Sequence, residues 1–233
     1  MAIPKIHIPR ETGIPTEFFL KCYRPAIDDI PPCSPEIIVG MDSGVSNTAF
    51  SYIELIRDNN TNAVVDFKYG ETYYFRKELD NYSYKLDKQI YLANQYFNLF
   101  NRKNVIKLTF EVLPLNFAKN EETLKGLIDA QATTTIISTL AYQLNHRFAP
   151  VPATAIKYCM TGKGTASKYD MCIEAFAWTK DEELLYNGHM ADAFSCAFYS
   201  FIQELKESCK SHNIPIPQKF SRVAQIIRLP VTE

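Results

Sequence analysis

Apolar runs, and the period at which polar residues interrupt them, divide this chain into strands and helices. The run Ile37-Ile38-Val39-Gly40-Met41 closes on Asp42 and predicts a buried strand over 37–42. A second strand is expected over 48–56. Asp58-Asn59-Asn60-Thr61-Asn62 is a turn signal, because short polar side chains bond their own backbone. A third strand is expected over 64–75, where Val65, Phe67 and Tyr69 alternate with Asp66, Lys68 and Gly70. These three make an antiparallel meander. Residues 79–100 carry a helical pattern that stops at Asn101-Arg102-Lys103-Asn104. The period returns to two over 105–111, with Ile106, Leu108 and Phe110 on one face and Lys107, Thr109 and Glu111 on the other. Asn120 can N-cap a helix reaching about residue 145, striped by Leu124, Leu127, Ile128, Gln131, Ile137, Leu140 and Leu144. A short strand over 153–158, a glycine-containing loop over 161–167, a helix over 168–178 and a long helix over 189–207 complete the order.

That order predicts an α/β fold. The expected sheet is mixed and five-stranded, an antiparallel three-strand meander plus two parallel strands, flanked by helices. The crossovers to the parallel strands should be right-handed. Three segments are expected: a proline-rich arm over 1–35 with a short helix near 16–22, a domain over 36–206, and a tail over 207–233 holding Pro215, Pro217 and Pro230.

Composition narrows the class. The chain has 233 residues, enough for one decorated domain, and 46% hydrophobic content excludes a disordered chain. The net charge of −1 means that any surface for DNA must be local. Six cysteines include no CxxC pair, which points to free thiols in a reducing compartment. Residues 1–12 lack the apolar core of a signal peptide, and no apolar run approaches the ~20 residues of a membrane span. The expectation is a soluble, cytoplasmic protein with no membrane partner.

The candidate chemistry lies at element ends. Asp42 and Glu111 close strands, and His189 and Asp192 open the last helix. Burying an ionised carboxylate costs several kcal/mol unless a cation or donors meet it, on the order of what a whole domain can spare. Singly, each acid is explained by a turn, a solvated edge or a helix dipole. On the last helix, Met190, Ala193, Phe194, Ala197, Phe198, Phe201, Ile202 and Leu205 form one apolar stripe. Asp192 falls nearly opposite its centre, with His189 beside it at i, i+3. Hard oxygen donors suit Mg²⁺, with Mn²⁺ as a substitute, and two such ions serve phosphodiester hydrolysis. Asp42 would be the shared ligand, flanked by Glu111 and Asp192, with His189 on the second ion or the water.

From Ala130 through Tyr169 the chain has no Asp or Glu but carries Arg147, Lys157, Lys163 and Lys168. Gly162 and Gly164 precede a helix start there, an arrangement able to meet phosphate, though taken by itself the segment reads better as an ordinary strand-to-helix loop with solvated lysines.

Taken together, these residues resemble the RuvC-type Holliday-junction resolvases, which have the RNase H-like fold. Val39-Gly40-Met41-Asp42-Ser43-Gly44 stands where that family has its opening strand and first acid. Glu111 stands at the second acid, and Phe117 and Asn120 at an aromatic and an asparagine before a helix. Lys157, Gly162, Gly164 and Lys168 keep the family's lysine and glycine spacing. His189-Met190-Ala191-Asp192-Ala193 matches its final motif. The likeness spans about residues 36–203. It implies a homodimer that makes paired nicks across four-way DNA with Mg²⁺, metal ligands at Asp42, Glu111, His189 and Asp192, and DNA contacts at Lys157, Lys163, Lys168, Phe117 and Asn120. In the family an aromatic near Phe117 helps open the junction centre. Here Ser43 replaces the usual proline, and the arm, the 76–104 segment and the tail are additions that suggest a virus- or phage-encoded enzyme acting in host cytoplasm. Two other readings remain. One is a nuclease of the same fold acting on flaps, forks or genome ends. The other is an actin-like or sugar-kinase-type ATPase, which needs a second copy of the fold.

Overall fold

The computed structural model describes residues 34–112 and 118–226. The short helix expected near 16–22, and Phe117, lie outside the described residues. The strands are β1 (Glu36–Asp42), β2 (Thr48–Arg57), β3 (Val64–Phe75), β4 (Asn104–Val112) and β5 (Arg147–Pro152). They form one sheet in the order β3-β2-β1-β4-β5. β1–β2 and β2–β3 pair antiparallel, while β1–β4 and β4–β5 pair parallel. This is the expected meander with two parallel strands. The helices are α1 (Lys85–Phe100), α2 (Glu121–Gln143), α3 (Ala153–Thr161), α4 (Lys168–Thr179), α5 (Glu182–Tyr186), α6 (Gly188–Ser211) and α7 (Gln218–Ile226).

Four local expectations need correction. The fifth strand occupies 147–152 rather than 153–158. It is an edge strand, where Pro150 and Pro152 cost few ladder bonds. Ile156, Cys159 and Met160 instead form the buried i, i+3, i+4 side of α3, which puts Lys157 on a helix. The 79–100 segment is a 3₁₀ turn, Leu79–Asn81, followed separately by α1. The strict alternation in β4 slips, because Ile37 pairs with Val105 but Ile38 pairs with Lys107. Ile106 is the extra residue of that bulge and packs on the face opposite Leu108 and Phe110. Lastly, the chain after 207 is not a loose tail. α6 continues to Ser211, and Phe220 of α7 is buried against Phe201 at 5.0 Å and Trp178 at 5.5 Å.

Strand parity divides the core. Ile37, Val39 and Met41 of β1 face α1 and α2, meeting Tyr96, Phe100 and Ile137. Ile38 faces the other way, under α6. That helix lies on the sheet with α3, α4 and α5 over it. It is therefore buried nearly all round: Ala191, Ser195, Cys196 and Ser200 are as buried as the apolar stripe. The small hydroxyls are satisfied in place, Ser200 against Thr109 at 2.6 Å and Ser195 donating to the Ala191 carbonyl at 2.7 Å. Among the described residues no helix is long and apolar enough to cross a membrane. Cys159, Cys172, Cys196 and Cys209 are free and buried.

Candidate active site

Gly40 fixes how α6 meets the sheet. A Cβ there would lie 2.0 Å from the Ala193 carbonyl oxygen and 2.5 Å from the Ala197 amide nitrogen. Only a glycine lets the helix backbone settle directly on β1. Two residues on, Asp42 shares Gly40's side of the strand and so points toward the start of α6. Gly40 pairs with Thr109 and Met41 with Phe110, which brings Glu111 level with Asp42 on the neighbouring strand. Thr109 bonds Ser200 of α6, so Glu111, two residues later, shares that face.

The first turn of α6 completes the group. Asn187 N-caps it, accepting from the amides of His189 and Met190. His189 Nδ1 stands 2.6 Å from Asp42 Oδ2, and the carboxylate can only accept, so Nδ1 carries the hydrogen. Asp192 Oδ2 receives the Lys168 ammonium at 2.8 Å. Behind the histidine, the Tyr74 ring stacks at 5.9 Å and 12°, and its hydroxyl donates to Asn47 at 2.8 Å. On the adjoining turn, Thr48 donates to the Gly44 carbonyl at 2.6 Å, and Ser43 meets Thr134 of α2 at 2.5 Å. A cleft of about 660 Å³ opens beside the acids, with Asp42, Ser43, Glu111, Leu127, Thr134 and Phe148 in its wall.

These carboxylates feel one another. Burial, then Asp192 and Asp42, push Glu111 up to about 7 from its ordinary 4.5, against the pull of Lys157 and Lys168. Burial and then Asp42 also raise Asp192, offset by Lys168 and His189. Lys168 is held above its usual range: burial alone would lower it, but Asp192, Asp42 and Glu111 outweigh that. The buried Cys196 thiol is driven well up by burial and by the same three acids, which makes it an inert neighbour rather than a nucleophile.

Asp42, Glu111, His189, Asp192, Lys157 and Lys168 therefore share one site. Lys163 is exposed, with its charge felt at Asp170 rather than at the acids. Asn120 caps α2, its side chain accepting from the Thr123 amide at 2.8 Å and hydroxyl at 2.7 Å. The two glycines of the basic segment do not cradle a helix start. Gly162, at φ 76°, ends α3, and the first turn of α4 is occupied by a capping box of Ser167 and Asp170. Asp192 is not on an open face but is covered by α4 through Lys168. Sequence reading missed Gly40's packing role, Gly188 and Tyr74. The register carried a signal for the last, because Asp42 pairs with Ala49 and Ala49 with Tyr74.

Three carboxylates and an imidazole are hard donors that fit Mg²⁺ or Mn²⁺, and the excess negative charge that raises Glu111 is what such a cation would relieve. In the arrangement seen, among the described residues, no three of these side chains stand close enough to grip an ion together. Protein donors sit between them instead, the His189 imidazole on Asp42 and the Lys168 ammonium on Asp192.

No protein-family model and no curated protein matches the sequence. Solved structures do. RuvC of Thermus thermophilus superposes with a TM-score of 0.55 at 11% identity, covering 73% of this chain and 96% of that one. The same protein in complex with Holliday junction substrate gives 0.57 at 12% identity with the same coverage. The fold is that of RuvC. The yeast mitochondrial Holliday junction resolvase Ydc2 also matches, at 16% identity, a TM-score of 0.44, and coverage of 87% of this chain and 94% of that one. In the RuvC fold the sheet order seen here is the RNase H-like one, as the sequence motifs implied. The described residues form one such sheet, so they hold no second copy of the fold of the kind an actin-like ATPase requires.

Proposed function

We propose that the protein is a metal-dependent, structure-selective endonuclease that nicks branched DNA, with the four-way junction as its substrate and a homodimer placing the paired nicks. The observation that supports this is the mutual field of Asp42, Glu111 and Asp192 at one sheet end, beside His189, in a chain with the fold of RuvC. The Thermus protein of that fold has been seen with Holliday junction substrate. Two Mg²⁺ ions held by these donors would supply an activated water and stabilise the leaving 3′ oxygen. Asp42, Glu111 and Asp192 would hold them, Asp42 as the ligand common to both. His189 holds the Asp42 carboxylate in place and, when released, offers a nitrogen donor. Lys157 draws the scissile phosphate toward the acids, since it already acts on Glu111 from α3. Lys163, exposed beyond the helix end, meets backbone phosphate farther along the strand. Burial of the acids under α4 and α6 keeps bulk water from screening their field.

The test is incubation of purified protein with an immobile four-way junction in Mg²⁺, beside flap and linear duplex controls. Paired nicks confined to the junction are expected. Faster cleavage of the flap would move the substrate to other branched DNA, and no cleavage of any substrate would reject the nuclease reading.

A further inference from the structure

Gly188 is the first residue of α6, and the side chain of Lys168 lies across it. A Cβ built on Gly188 would stand 2.3 Å from Lys168 Cε, 2.8 Å from Cγ and 2.9 Å from Cδ. The stem thus crosses the opening turn of α6 where no side chain blocks it, and Nζ ends 2.8 Å from Asp192 Oδ2. The lysine side chain is 55% exposed and that of Asp192 only 17%, so the ammonium reaches in from the solvent side onto a covered carboxylate. Any other residue at 188 would put its Cβ among the methylenes, not merely against the mobile tip, and the stem would have to leave.

We propose that Gly188 is a positioning residue whose missing side chain seats the Lys168 ammonium on Asp192 in the DNA-free protein, where it competes with a divalent cation for that carboxylate. The inference rests on the metal-site reading above. A lysine suits the task because it is a compact point charge on a flexible stem, able to neutralise an acid and still swing away. The neighbouring acids give it reason to stay, since Asp42 and Glu111 both act on the same ammonium. The swing leads toward solvent, where a phosphate of bound DNA could take the charge in exchange. The lysine thereby links cation entry to substrate arrival, holding the acids quiet until a polyanion draws it off.

The experiment is calorimetric titration of Mn²⁺ into DNA-free protein: parent, Gly188→Ala, Lys168→Met and the double variant. Methionine keeps an unbranched stem without the charge. Alanine at the first helical residue favours the helix more than glycine does, so Gly188→Ala should fold. Each single variant is expected to bind Mn²⁺ about tenfold more tightly, the scale of one unit charge removed a few ångströms away in a half-wet site. The double variant should match Lys168→Met alone, because Gly188 acts only through the lysine. Effects that multiply in the double variant would overturn the proposal, as would parent-like binding by Lys168→Met, a variant that leaves the start of α6 untouched. Absence of Mn²⁺ binding in all four proteins, including those without the lysine, would instead reject the metal-site reading itself.

Discussion

Replacing Glu111 by glutamine should stabilise the metal-free protein at pH 8 while stopping nicking. Glu111 sits at about 7 against an ordinary 4.5, raised by burial and then by Asp192 and Asp42. For an acid raised in this way, the folded state holds the proton more tightly than the unfolded chain. The parent's stability is therefore full below pH 4.5 and falls as pH rises through about 7. The gap corresponds to about 3 kcal/mol of strain when both states are ionised. Partial solvent access and the polar amide of glutamine reduce the expected gain to about 2 kcal/mol, or about 4–8 °C in melting temperature for a domain of this size. The assay is urea unfolding in EDTA at pH 4 and pH 8. Glu111→Gln should match the parent at pH 4 and exceed it at pH 8, and Mg²⁺ should narrow the difference by stabilising the parent alone. A glutamine variant that is less stable than the parent at pH 8 would refute the claim that these acids repel one another.

Two further outcomes follow from the geometry. Gly40→Ala should cost about 2–4 kcal/mol in a denaturant melt, because its Cβ would strike the backbone of Ala193 and Ala197, which cannot rotate away. Lys163→Ala should weaken junction binding uniformly and lower the slope of log affinity against log salt by roughly 0.9, the value for one phosphate contact, as measured by fluorescence anisotropy across a salt series.

Much of the architecture was legible because its signals are local. The meander follows from period-two alternation and one Asx-rich turn, and Asn120 does cap its helix. The placement of Asp42 and Glu111 on one face follows from parity once β1 and β4 are neighbours. What escaped depended on three-dimensional closure. The fifth strand was hidden because an edge strand tolerates prolines that read as loop. The helix after Pro217 was hidden because its reason to form is the aromatic pocket of Phe67, Trp178 and Phe201, assembled from three distant segments. Helical periodicity placed Asp192 off the apolar stripe, but it could not foresee that α4 would cover that side and bring Lys168 to it. Gly188 stood just outside the helix expected over 189–207, and its use appears only with the lysine lying across it.

The central claim is that Asp42 is the shared ligand of a nuclease site. The direct measurement is strand nicking of an immobile four-way junction in Mg²⁺ by the parent and by Asp42→Asn, with junction binding followed in parallel. The parent should nick and the variant should not, while both bind the junction with similar affinity, because asparagine keeps the shape and removes the charge. A variant that nicks as fast as the parent would contradict the account.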